Sequence, residues 1–90
     1  MSKVFRTVTI TNRRGLHARA SAKFVTLASA QPVEVAVVKD GSPVTGTSIM
    51  GLMMLGAAMG DHITISAEGE GAEVAVAALA ALVEDKFGEE

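Results

Sequence analysis

Ninety residues suffice for one two-layer domain, and they leave no room for a cleft between two domains. Hydrophobic residues make up 49% of the chain but aromatics only 3%, which points to a core of Val, Ile, Leu, Met and Ala; the absence of cysteine excludes disulfides, thiolate nucleophiles and cysteine-ligated metal centres. The net charge of −2 hides a segregation: residues 1–33 carry six cations and no acid, a local +6, whereas residues 34–90 carry two cations and ten acids, a local −8, a pattern that suggests a basic pole for anionic ligands or acidic partners.

Val4, Val8 and Ile10 alternate with Phe5, Thr7 and Thr9, which predicts a strand over about residues 3–10. A loop, Asn12-Arg13-Arg14-Gly15, follows. Beyond it Leu16, Ala20, Phe24, Leu27 and Ala28 recur at spacings of three and four, while Arg19, Lys23 and Thr26 share another face, so a helix is expected over 18–29, stopped by Pro32. Val33, Val35 and Val37 predict a second strand, and Lys39-Asp40-Gly41-Ser42 an Asp-Gly hairpin into a short strand at 43–45. Gly46-Thr47-Ser48 supplies N-cap chemistry for a helix starting at Ile49, kept short by Gly51, Gly56 and Gly60. Ile63 and Ile65 mark a fourth strand over 61–67. After Gly69-Glu70-Gly71, an Ala-rich helix is expected over 72–86, with Ala75, Val76, Leu79, Leu82 and Val83 inward and Gly88 as its C′ residue; Glu89-Glu90 reads as a solvated tail.

The order β-α-β-β-α-β-α, with connections too short for repeated parallel crossovers, defines an α+β domain spanning residues 1–90: an antiparallel sheet with helices on one face. The longest apolar stretch, Ile49 to Met59, is 11 residues and broken by glycines, too short to span a bilayer. The N-terminal residues lack the pattern of a signal peptide, so no membrane association and a cytoplasmic location are expected.

His17 is the leading candidate for chemistry. It lies among four cations, Arg13, Arg14, Arg19 and Lys23, where a Gly-terminated loop enters a helix. A helix N-terminus presents unpaired N–H groups and a positive dipole end, both favourable to an anion. Gly15 can take a left-handed conformation, and Arg19 can reach a phosphate carried by the ring with its planar fork of donors. A neighbouring guanidinium and the helix dipole favour the neutral ring, and become stabilising once a phosphoryl group adds negative charge. The plain alternative is an ordinary surface histidine. No Asp or Glu is near in sequence to orient the ring, and a lone nucleophile without base or metal does not make a hydrolase. His62, beside Asp61, reads as structural or exposed, and two histidines without convergent acids give no metal site. Ser48 is first an N-cap; a phosphate there is compatible with the cap because the helix N-terminus favours it. Ile49, Met50, Leu52, Met53 and Met54 are too many apolar residues for one short helix face, so some belong to the core and the rest to an adaptable partner surface.

The blocks Gly15-Leu16-His17-Ala18-Arg19-Ala20-Ser21-Ala22-Lys23-Phe24-Val25 and Gly46-Thr47-Ser48-Ile49-Met50-Gly51-Leu52-Met53-Met54-Leu55-Gly56 resemble the HPr family, the histidine-containing phosphocarriers of the bacterial phosphoenolpyruvate phosphotransferase system. The resemblance covers essentially the whole chain. It implies an open-faced β-sandwich, sheet order 1-4-2-3, with three helices on one side. It implies further that His17 accepts a phosphoryl group on Nδ1 from phosphorylated Enzyme I and passes it to an EIIA-type protein. Arg19 would neutralise that group at the helix start formed by Gly15 and Ala18. Ser48 matches the serine modified by HPr kinase/phosphorylase, and Leu16, Lys23, Ile49, Met50 and Met53 fall where partners dock. The implied protein is a monomeric carrier and not a stand-alone enzyme, with no cofactor, metal or nucleic acid. Two positions depart from the family pattern: Ala20 replaces the usual Pro after the Arg, and Thr47 the usual basic residue before the serine. The first block looks like proteobacterial forms of a nitrogen-related regulatory branch. The readings from other classes are a small nucleic-acid-binding module using the basic first third, weakened by the lack of Tyr and Trp, and an adaptor using the Met-rich helix.

Overall fold

The computed structural model of the chain describes residues 3–89. Its elements are β1 (Lys3–Thr9), α1 (Ala18–Ser29), β2 (Val35–Lys39), β3 (Ser42–Thr45), α2 (Ile49–Met54), β4 (His62–Glu68) and α3 (Ala72–Glu84), followed by a 3-10 turn at Lys86–Gly88. The strands form one antiparallel sheet in the order β1-β4-β2-β3. The Asp-Gly turn joins β2 to β3 as expected: Asp40 and Gly41 both have positive φ, 51° and 81°, the geometry that matches the twist of a two-residue hairpin.

Alternation assigns the two faces. Val8, Ile63, Ile65, Ala67, Val35 and Val37 are buried under the helices, with α3 against β1 and β4, α2 against β3, and α1 packed on both other helices. The opposite face carries Phe5, Thr7, Thr9, Val38 and Thr64, with Thr7 and Thr64 bonded across the β1–β4 pair at 2.9 Å. The Ala-rich buried stripe of α3, Ala72, Ala75 and Ala80 among Val76, Leu79 and Val83, lets that helix lie close to the sheet.

Three expectations need correction. The core is not purely aliphatic: Phe24 and Phe87 are its two largest fully buried side chains. No methionine among the described residues is buried: Met50, Met53 and Met54 are exposed because a six-residue helix turns a single residue, Leu52, into the core, and Met59 is exposed in the loop that follows. Finally, α3 stops at Glu84, and Gly88 is not its C′ residue. The reversal begins at Lys86 and continues through Phe87 and Gly88, all at positive φ (57°, 55° and 77°). Two non-glycine residues held left-handed cost about 1–2 kcal/mol each. Burying Phe87, about 3 kcal/mol, and a bond from Lys23 Nζ to the Phe87 carbonyl at 2.7 Å roughly offset that cost.

Candidate functional site

The loop before α1 is closed from the opposite side of the chain. Gly15 has φ +64°, and a Cβ there would lie 2.3 Å from the Ala57 carbonyl oxygen, while the neighbouring Leu16 N–H donates to that oxygen at 2.9 Å. Thus the close approach that requires glycine comes from the 56–60 loop and not from an incoming group. Leu16 itself is core, and the surface it offers a partner is minimal. Ser21, on the inner face of α1, donates to the Leu16 carbonyl at 3.2 Å and secures the first turn.

His17 is the N-cap of α1. Its backbone is extended, and its ring Nδ1 accepts the Arg19 backbone N–H at 3.2 Å. A histidine in this role is aimed along the helix entrance, so Nδ1 lies beside the unpaired amides of the first turn. Arg19 and Ala18 are exposed there, and the Arg19 guanidinium forms no ion pair among the described residues. The cation is therefore free to turn toward a charge arriving at Nδ1.

The other ring nitrogen has a partner that the sequence reading missed. His17 Nε2 lies 2.5 Å from Oε2 of Glu89, a residue 72 positions away that had been taken for solvated tail. The Glu89 side chain is only 19% exposed. Its second oxygen, Oε1, accepts from Asn12 Nδ2 at 3.1 Å, and the same nitrogen donates to the Gly15 carbonyl at 2.8 Å. Two acceptors on one atom fix the orientation of the amide, since only its NH₂ can satisfy both. Asn12 is fully buried, and its Oδ1 is left without a partner. Bonds from His17 first, then Asn12, hold the Glu89 carboxyl below its ordinary value of 4.5. Lys23, expected on a docking surface, is tied to the chain reversal that brings Glu89 here.

Ser48 caps α2, its Oγ accepting the Gly51 N–H at 2.9 Å. Around it Ile49, Met50, Met53 and Met54, all part of the apolar run noted in the sequence, are exposed, Met54 at 79%, and Met59, not singled out from sequence, is exposed in the following loop. α2 packs directly on α1, so the apolar patch and the His17 helix form neighbouring parts of one side. His62 is exposed and bonded to Thr9 Oγ1 through Nδ1 at 3.0 Å, a contact across β1 and β4. Among the described residues no helix is long and apolar enough to cross a membrane.

A half-buried histidine that caps its helix lies here beside an arginine unpaired among the described residues and near an exposed apolar surface, a combination suited to carrying a group and lacking the base or metal of a hydrolase. Known proteins agree. The family model described as "PTS HPr component phosphorylation site" matches residues 4–85. Phosphocarrier protein NPr of Shewanella violacea is 43% identical over 89 residues, 99% of this chain and 98% of that protein. Phosphocarrier protein HPr of Neisseria meningitidis serogroup B is 49% identical over 82 residues, 91% of this chain and 92% of that one. Among solved structures, HPr of Thermoanaerobacter tengcongensis superposes with a TM-score of 0.89 at 47% identity, covering 100% of this chain and 99% of that one. The chain belongs to the HPr family of phosphocarriers of the phosphotransferase system, and the role that follows is that of a carrier and not of a stand-alone enzyme.

Proposed function

We propose that His17 is the phosphoryl acceptor, charged at Nδ1 by phosphorylated Enzyme I and discharged to an EIIA-type protein. The observation that carries this reading is the two-sided constraint on the ring: Nε2 faces a carboxylate and Nδ1 accepts an amide N–H. Nδ1 therefore holds the lone pair, and it lies at a helix N-terminus where added negative charge is favoured. On phosphorylation the first-turn N–H groups lie beside the phosphoryl oxygens, and the exposed, unpaired Arg19 guanidinium can turn to bond them, so the product is stabilised. In-line transfer requires little beyond positioning and charge, which the partner shares. Incubated with Enzyme I and phosphoenolpyruvate, the protein should acquire one acid-labile phosphate, and His17→Ala should acquire none; label persisting in that variant rules the reading out.

Ser48 is the second proposed phosphorylation position, modified by HPr kinase/phosphorylase. Its half-buried hydroxyl caps α2, and a phosphate at that helix end need not unfold it. The added charge would fall on the Met-rich surface and so on docking. An acid-stable phosphate absent from Ser48→Ala is the expected result with the kinase.

A further inference from the structure

We propose that Glu89 is a positioning residue for phosphoryl exchange: its carboxylate keeps the His17 proton on Nε2 in both directions, so that Nδ1 is the nucleophile on loading and a neutral imidazole is the leaving group on discharge. This rests on the reading of His17 as acceptor.

An ionised carboxylate can only accept hydrogen bonds, so its contact with Nε2 requires that nitrogen to carry the proton. The Arg19 N–H on Nδ1 makes the same selection from the other side of the ring. Glu89 is held ready for this role from both directions. Asn12, fully buried and with its amide orientation fixed by the Gly15 carbonyl, bonds the far carboxylate oxygen. Behind it the left-handed run Lys86, Phe87 and Gly88 is pinned by the burial of Phe87 and by Lys23 on its carbonyl. A buried amide that leaves its own Oδ1 unpaired, and two strained residues, are a substantial cost for aiming a side chain that would otherwise lie in water. Glu89 also lies beyond the segment that the family model matches, residues 4–85.

The step balances without moving a proton. On loading, the Nδ1 lone pair forms the N–P bond as the bond from phosphorus to the donor breaks, and the donor keeps that electron pair. The ring, already protonated at Nε2, becomes positive, and the facing carboxylate stabilises the charge as it develops. On discharge the acceptor's nucleophile attacks phosphorus, the N–P pair returns to Nδ1, and neutral imidazole leaves with its Nε2–H intact. Without the carboxylate only the Arg19 N–H contact opposes the wrong tautomer, and the loss is of the kind that removing the triad Asp inflicts on serine proteases.

Glu89→Gln, Glu89→Ala and Glu89→Asp in the full chain test this. In the wild type, ¹⁵N-edited proton spectra should show a slowly exchanging downfield Nε2–H of His17, lost in the Gln and Ala variants and retained in Asp. Phosphorylation by Enzyme I and phosphoenolpyruvate, and discharge to an acceptor, should both slow roughly 10- to 100-fold in the Gln and Ala variants, with Asp partly restoring the rates. Unchanged methyl spectra would show that the fold is intact. Wild-type rates in Glu89→Gln, or a retained Nε2–H signal, overturn the proposal. Wild-type protein that takes no phosphate on His17 overturns instead the acceptor reading on which it rests.

Discussion

The two functional regions of the molecule are built in opposite ways. The α2 surface is local: Ser48 caps a helix that begins at the next residue, Gly51 supplies the N–H, and the exposed methionines lie within a few positions of each other. The His17 end is assembled from three distant parts of the chain, the 12–19 loop and helix start, the Ala57 carbonyl and the segment from Lys86 to Glu89. One region is apolar, exposed and adaptable, suited to several partners; the other is polar, half-buried and held from several sides, suited to fixing one ring. On the function proposed above, a carrier that docks with unlike proteins yet presents one ring nitrogen needs both kinds of construction.

The sharpest way to break this contrast is Phe87→Ala. Removing a fully buried aromatic costs about 3–5 kcal/mol, and here it also removes the anchor of the left-handed segment. We expect a cooperative loss of stability in thermal or urea unfolding. In the folded fraction the His17 Nε2–H signal should also be lost, while the Ser48 cap remains. A variant that loses stability yet keeps Glu89 on His17 would show that the reversal is set by Lys23 and the backbone alone.

The same contrast explains what could be read from the chain. Period-two and period-four patterns located β1, β2, β4, α1 and α3, because burial on one face imposes them locally, while turn and cap signals located β3 and α2; α1 is observed at the expected 18–29, and the 3-10 turn after α3 was not foreseen. His17, Gly15 and Ser48 were legible for a similar reason: turns and caps have short-range signatures. The methionines were misjudged because composition does not say how few positions a six-residue helix can bury. Glu89 and Asn12 were missed altogether. An acid near the end of a charged stretch carries no periodic signal, and its partner is 72 positions away. The one hint was Phe87, an aromatic after a helix that had been expected to end in solvent; a large apolar residue there pulls the chain back toward the core and delivers whatever follows it.

A smaller effect sharpens the other region. Ser48→Ala removes the side-chain cap of α2 and should lower stability by about 1 kcal/mol. Because the cap is local, exchange should accelerate at the Gly51 amide and its neighbours in α2, with the His17 Nε2–H signal and the rate of loading by Enzyme I unchanged. Coupled loss at His17 would mean that the helices α1 and α2, which touch, transmit the change.

The smallest expected effect is the acid response, and its sign follows from Glu89. The folded protein holds this carboxyl below 4.5 through His17 and Asn12. The ionised form is thus favoured by folding, so its contribution is fully present above the unfolded value and is lost as the pH falls through the lower, folded one. Protonation turns Glu89 from a pure acceptor into a group that no longer requires the proton on Nε2. Other acids titrate in the same window, so the informative quantity is the difference between the wild type and Glu89→Gln. Below pH 4.5 the wild type should lose a stability increment that the variant lacks from the outset, and the two curves should converge at the acid end. The amide signals of Gly88 and Glu89 should move with that transition. The Gly51 amide should stay still, since its partner Ser48 does not titrate in this range. Parallel curves across the whole range would mean that the Glu89 carboxylate contributes nothing through its charge, leaving Phe87 and its bond from Lys23 to hold the 86–89 segment against His17.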